Sequence, residues 1–415
     1  MKIPTKNRCV LLGVCGGIAA YKACEVVRLL VKAGVDVHVL MTPNATRFVS
    51  PLTFAALSGY PVAVEAFPPS ASEAGSSSTY DPLAHITLSH QAELLLLAPA
   101  TANTLAKLAA GIADNLLLST ALAFSGPVVF APAMNSRMYA NPATRDNIAK
   151  LKARGCIEVE AEMGALASLE SGMGRLAEPA RIVQRVLHEL RREGSPLEGR
   201  RILVTAGGTR EYFDDIRFIS NASTGTLALC CADELYLAGA EVELIAAPSV
   251  AEDELPSRAY PTIRVTSAEE MLTQVRERAI GLDVLLMLAA VADYRPPRRK
   301  GKIKKDDAVE LDLRLTRTED ILSSLEEGKP NVRIGASLET EEVEQRAAAK
   351  LTAKNLSAIV AVELDPEAPP FGQRSLRAGI LTPHEWLLPL SRRDKIELSR
   401  EIAHLITRLL NPKEQ

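Results

Sequence analysis

A chain of 415 residues is too long for one ordinary hydrophobic core, so two domains are expected. It is 47% apolar and 24% charged with a formal net charge of −3, a globular composition that gives no sign of a nucleic-acid partner. The six cysteines form no CxxC pair and no regular framework, and no apolar run approaches the ~18 residues of a membrane span; both point to a cytoplasmic protein without a structural zinc.

In chain order, residues 8–13 read as a buried parallel strand, 18–33 as a helix closed by Gly34, and 35–40 as a second strand. Residues 93–98 and 128–131 are further apolar strands, each followed by a helix, at 101–110 and 144–153. The serine-rich stretch 68–78 reads as a mobile surface loop. A helix over 181–192 closes a first domain, 1–192, and 193–199 reads as a linker. The pattern then restarts for a second domain, 200–415, with strands at 201–206, 241–246, 284–290 and 357–362 and a helix at 227–238. Strands alternating with helices imply α/β architecture: two doubly wound, Rossmann-like parallel-sheet domains.

Chemistry gathers where strands end. Gly13, Gly16 and Gly17 in GVCGGI turn from strand to helix, where backbone N–H groups can meet a phosphate, although the spacing is not GxGxxG. The alternative is a tight turn with no ligand. The segments APATAN, with Thr101 and Asn103, and APAMN, with Met134 and Asn135, both leave apolar strands, and their amides can grip a planar ring or a carboxylate. His85 is a lone histidine whose bland reading is a satisfied surface side chain. In the second half, Gly207, Gly208 and Thr209 follow a strand, RFISNASTG adds Arg217 and Asn221, and AAVADYRP adds Asp293. Lys302, Lys304 and Lys305 follow; they are either a solvated charge run or a phosphate-binding set. Together these loops fit a nucleoside triphosphate, with Asp293 helping to hold Mg²⁺.

The order GVCGGIAAYK, HIxL, APATAN, APAMN and GxGRLAEP, then LVTAGGTRE, RFISNASTG, AAVADYRP and KIKK, resembles the bifunctional coenzyme A biosynthesis flavoproteins, from about residue 8 to 410. The resemblance implies an FMN-dependent phosphopantothenoylcysteine decarboxylase half that forms trimers and a phosphopantothenate–cysteine ligase half that forms dimers. It implies FMN at Gly13, Gly16, Gly17, Thr42, Thr101 and Asn103, His85 as base for the thiol, and Asn135 with Met134 on the substrate carboxylate. For the ligase it implies an acyl-cytidylate formed from CTP and 4′-phosphopantothenate, then attacked by L-cysteine. Arg217 and Asn221 would contact substrate; Gly207, Gly208, Thr209, Asp293, Lys302, Lys304, Lys350 and Lys354 would serve the nucleotide end. Ser168 stands where the family carries a cysteine thought to donate a proton in the final reduction; an alcohol is a far poorer acid than a thiol. STGTLA (223–228) lacks the lysine of the family's SSGKMG, and GASLET (335–340) lacks the aromatic of GFAAET. Other readings are an FMN decarboxylase of cysteinyl peptides, a non-catalytic regulatory relative and a plain Rossmann dehydrogenase.

Overall fold

The computed structural model describes residues 8–65, 83–167, 170–304, 311–325, 330–365 and 369–411. The serine-rich stretch, Ser168 and Lys305 lie outside these residues. The chain divides into two compact units, Met1–Leu190 with Pro256–Ala259, and Arg191–Leu255 with Tyr260–Gln415. No helix among the described residues is long and apolar enough to cross a membrane.

The first unit runs β1 (Cys9–Val14), α1 (Ala20–Lys32), β2 (Asp36–Met41), α2 (Pro51–Ser58), α3 (Ala84–Gln91), β3 (Leu94–Ala100), α4 (Ala102–Ala110), α5 (Leu116–Ala123), β4 (Val128–Pro132), α6 (Ser136–Ala140), α7 (Pro142–Ala153), β5 (Ile157–Glu158), β6 (Glu162–Ala165), β7 (Ser171–Arg175) and α8 (Pro179–Arg192). The five-stranded sheet has the order β2-β1-β3-β4-β5, with every pair parallel. All of β3 is buried, as a central strand covered on both faces requires, and each of Leu94 to Leu97 contributes about 2 kcal/mol of burial. α1 buries Ala20, Ala23, Val26, Val27 and Leu30, a stripe at helical spacing, and ends where Gly34 takes φ +80°. Connections leave β1 toward β2 on one side and β3 toward β4 on the other. The crevice at the carboxyl ends of β1 and β3 is therefore the sheet's switch point.

The second unit runs β8 (Arg201–Ala206), β9 (Arg210–Tyr212), β10 (Phe218–Ser220), α9 (Thr226–Leu237), β11 (Glu241–Ala246), β12 (Thr262–Arg264), α10 (Ala268–Ala279), β13 (Val284–Met287), β14 (Tyr294–Arg295), β15 (Thr316–Arg317), β16 (Val332–Glu339), α11 (Val343–Ala353), β17 (Ala358–Glu363), β18 (Ser375–Leu381), β19 (Trp386–Asp394) and α12 (Lys395–Leu410). Its eight-stranded sheet has the order β12-β11-β8-β13-β16-β17-β18-β19. The strands through β17 are parallel, which is the doubly wound part; β18 and β19 add an antiparallel edge that the purely parallel expectation lacked. β19 is half-exposed and interrupted by Pro389, whereas β18 is mostly buried. β13 stops at Met287, three residues before the expected end, because the chain there peels off at the switch point between β8 and β13: Ala290 N–H donates to Gly207 O at 2.8 Å.

Candidate active sites

In the first unit a cleft of about 1110 Å³ opens at the β1/β3 switch point, above the upper end of the ~300–1,000 Å³ usual for small-molecule sites. Four strand ends supply its walls: Gly16 and Gly17 after β1, Thr42 and Asn44 after β2, Thr101 and Asn103 after β3, and Met134 and Asn135 after β4. A Cβ on Gly16 would lie 2.5 Å from Asn44 Cβ, so only glycine lets these two loops meet. Thr101 caps α4 by accepting from Thr104 N–H, while α1 starts with no side-chain cap, its Ala20 and Lys22 N–H groups donating to Gly17 O and Ala19 O at 3.0 Å. Beneath the floor, burial pushes the Cys15 thiol up, although hydrogen bonds from Thr104 and Thr101 oppose this; it is a packed, inert thiol and not a nucleophile.

Asn135 is the N-cap of α6. Its Oδ1 accepts from Arg137 N–H at 2.9 Å, which fixes the amide, and its Nδ2 donates to Glu170 Oε2 at 3.2 Å. The β6–β7 hairpin closes over this loop: Met134 N–H donates to Gly174 O at 3.0 Å. Gly13 is placed otherwise than expected. It lies inside β1, where a Cβ would sit 2.7 Å from Leu97 Cδ2, and it does not line the cleft. Nor does His85, in the first turn of α3. Lys22, Lys107 and Arg175 do line it but drew no assignment from the sequence. Lys22 reaches Glu178 at 3.8 Å, Arg175 pairs with the same carboxylate, and Lys107 pairs with Asp114. The usable signal was that Lys22 ends GVCGGIAAYK and Arg175 follows the GxG turn.

The second unit holds a cleft of about 500 Å³, lined by Asn221 to Ala228, Met287 to Asp293, Lys350, Lys354 and Lys395 among others. Asn221 Nδ2 donates to Val291 O at 3.1 Å and to Ala290 O at 3.3 Å, joining the loop before α9 to the loop after β13. Lys354 pairs with Asp320 Oδ2 at 2.5 Å, and Lys350 donates to Ala336 O at 2.8 Å. Burial, with Lys354 next to it, pushes the Lys350 ammonium down. Burial raises Asp320, but Lys354 and Ser323 outweigh it and hold the carboxyl low. Asp293 is exposed at the cleft; among the described residues no three His, Cys, Asp or Glu side chains gather into a metal site.

Several expected nucleotide contacts are otherwise engaged. Gly208 N–H donates to Ser249 Oγ at 2.6 Å and a Cβ there would lie 2.6 Å from Asn221 O. Gly207 takes φ +82° against Val250. Thr209 is fully buried, its hydroxyl accepting from Ala292 N–H at 3.0 Å. These three shape the cleft from behind and do not line it. Arg217 is held by Asp214 and by Ile303 O at 2.7 Å, also off the cleft. Lys302 and Lys304 are exposed on the segment that Ile303 N–H ties to Asp214 Oδ2 at 3.2 Å, and neither lines the cleft of its own chain.

Residues 2–191 match the flavoprotein family model, and residues 197–410 match that of the DNA/pantothenate metabolism flavoprotein C-terminal domain. The chain is 41% identical over 408 residues to the coenzyme A biosynthesis bifunctional protein CoaBC of Bacillus subtilis (strain 168), covering 97% of each. The chain belongs to this family of bifunctional coenzyme A biosynthesis proteins. The namesake of Vibrio vulnificus (strain YJ016) is 38% identical over 408 residues, 97% of this chain and 98% of that one. That of Mycobacterium tuberculosis (strain ATCC 25618 / H37Rv) is 41% identical over 342 residues, 80% and 79% of the two chains. As a bifunctional coenzyme A biosynthesis protein, the chain is a flavoprotein that works on phosphopantothenate-derived substrates with a decarboxylase and a ligase step.

Two consequences of this geometry can be measured. At Gly174, φ is +128° and a Cβ would sit 2.3 Å from Met134 O, so Gly174→Ala must push the hairpin off the Met134-Asn135 loop. The variant is expected to purify with less bound flavin, read from its visible spectrum; full flavin content would contradict the role given to the hairpin. At Asp214, burial alone would raise the carboxyl, but N–H donors of Arg217, Ile216 and Ile303 and the Arg217 guanidinium hold it far below the usual carboxylate range. A depressed folded value means stabilisation that is present above the ordinary pKa of about 3.9 and is lost as pH falls below it. Asp214→Asn should therefore lower the melting temperature at neutral pH, with the gap to wild type closing in acid. A gap independent of pH would contradict this.

Proposed function

We propose that the first cleft binds FMN and the cysteinyl end of 4′-phosphopantothenoylcysteine, and that the second joins 4′-phosphopantothenate to L-cysteine at the expense of CTP with Mg²⁺. The functional division is 1–192, a 193–199 linker and 200–415. The compact units and the two family models, which divide near residue 190, support it.

One observation carries the decarboxylase reading: at the mouth of the first cleft the Asn135 amide, locked as a helix cap, already donates to a carboxylate, that of Glu170. Glu170 stands in for the substrate carboxylate, with Arg137 3.7 Å from it as a second positive contact. The close approach of the Gly16 turn and the uncapped start of α1 fit a flavin phosphate, and Thr42, Thr101 and Asn103 supply polar contacts beside it. Bound there, the flavin supplies reversible two-electron oxidation at the thiol-bearing carbon, which eases loss of the neighbouring carboxylate as CO₂. Asn135 orients that carboxylate and Met134 packs beside it; His85 takes the thiol proton, and Ser168 takes the place of the family's cysteine acid. Because His85 does not line the cleft of its own chain, a trimer would bring it from the neighbouring subunit.

In the ligase half, Asn221 bridges two cleft loops and would hold the acyl-cytidylate; Lys350 and Lys354 would face its phosphates, and Asp293 would share Mg²⁺ with them. Lys302 and Lys304 would reach a partner's cleft across a dimer. The six cysteines form no disulfide among the described residues, which supports a cytoplasmic setting. Given CTP, Mg²⁺, 4′-phosphopantothenate and cysteine, the protein should release CMP and pyrophosphate in step with the amide product. Release of CDP and orthophosphate would mean that the carboxylate is activated by phosphoryl transfer, against this reading.

A further inference from the structure

Lys395 is the first residue of α12, is 5% exposed, and lines the second cleft. Two effects oppose an ammonium there: burial, which pushes its pKa down, and the positive end of the α12 dipole. A buried lysine ordinarily has a carboxylate partner. Among the described residues Lys395 forms no ion pair. Its Nζ donates to Pro370 O at 2.9 Å, which uses one of three ammonium protons. The acidic groups on the adjoining elements are engaged elsewhere. Asp394 caps α12 and pairs with Arg374 at 2.6 Å; Glu234 pairs with Arg400 at 3.3 Å; Asp233 accepts from Tyr260 Oη at 2.8 Å.

Lys395 also lies against α9, where the sulfur of Cys230 partly offsets the effect of burial. The twelve-residue α9 is preceded by Gly225 as N-cap, with φ +75° and no side-chain cap, and its first-turn residues Thr226, Leu227 and Ala228 line the same cleft. An uncapped helix start and a buried ammonium with no carboxylate partner among the described residues therefore line the same cavity.

We propose that Lys395 is a phosphate-binding residue of the ligase cleft, completing with the start of α9 a site for a phosphate-bearing substrate. The inference rests on the ligase reading above. Two substrates carry the chemistry, the nucleotide triphosphate and the phosphate of 4′-phosphopantothenate, and separate KM measurements distinguish them.

The test is Lys395→Gln in the full-length flavoprotein, because glutamine can keep the bond to Pro370 O while losing the charge. Loss of a charge-assisted phosphate contact predicts a KM raised about 10-fold or more for one of the two substrates. It also predicts a smaller change in kcat, an unchanged decarboxylation rate, and partial rescue by Lys395→Arg. Without ligand the variant should melt no lower than wild type, whereas the rise in melting temperature induced by that substrate should shrink. The substrate whose KM moves is the one held. If both KM values and the ligand-induced melting shifts match wild type, Lys395 only braces the Pro370 loop and the proposal is overturned. A wild-type chain that neither ligates nor is stabilised by CTP overturns the ligase reading itself; a ligating wild type equalled by Lys395→Gln overturns the site alone.

Discussion

His85→Asn is expected to slow decarboxylation of 4′-phosphopantothenoylcysteine by about 10²–10⁴-fold, the span usual for loss of a positioned base, with ligation at the wild-type rate. The imidazole sits in the first turn of α3 and outside the cleft that Asn135 lines, so one chain does not assemble both groups. A second result should follow. Asn135→Ala is expected to lose decarboxylation by about 10²-fold or more, since an amide that orients the departing carboxylate acts on the reacting geometry itself. Mixing the two inactive variants under conditions that exchange subunits should then restore part of the activity, because in the proposed trimer a mixed assembly would contain one cleft type with both groups intact. No recovery from demonstrably mixed trimers would mean that His85 serves its own chain or does not serve the reaction.

Asn221→Ala should abolish most ligation, by about 10²–10³-fold, a loss comparable to removing one preorganised donor from a reacting centre. Its Nδ2 bonds to Ala290 O and Val291 O link the loop leading into α9 to the loop that carries Asp293. The variant would remove the proposed substrate contact and loosen the proposed nucleotide end together. Asn221→Asp would keep the size but set a carboxylate against two carbonyl oxygens and an acyl phosphate, so it should be no better than alanine. Decarboxylation of supplied phosphopantothenoylcysteine should be unaffected in both. Wild-type ligation by Asn221→Ala would remove Asn221 from the site.

How much could be read in advance followed from which signals are local. Buried parallel strands such as 201–206 and 241–246 are continuous apolar runs, and the structure places β8 and β11 there. The helix closed by Gly34 ended where a left-handed residue was needed. The loops at strand ends were legible because Asn, Thr and Gly cluster there. What each group in a loop does was less so. Gly208 and Thr209 look like a phosphate-binding turn, yet Ser249 takes the N–H of one and Ala292 the hydroxyl of the other, and both partners are distant in sequence. Gly13 looked like its neighbours Gly16 and Gly17, but its side of the strand faces Leu97 and Leu117. Lys395 gave no signal, because a lysine beside Arg392, Arg393 and Asp394 reads as one more surface charge. The β18–β19 edge alternates too weakly to announce itself.

The central claim is that this protein carries phosphopantothenoylcysteine through oxidation, loss of CO₂ and reduction, with Ser168 in the place of the family's cysteine. The most direct measurement is to give the flavin-loaded protein 4′-phosphopantothenoylcysteine without oxygen and to determine the product mass together with the flavin spectrum. The account predicts the mass of 4′-phosphopantetheine and a flavin returned to its oxidised form. A product two hydrogens lighter, with the flavin left reduced, would contradict it: decarboxylation would be intact and the final reduction missing.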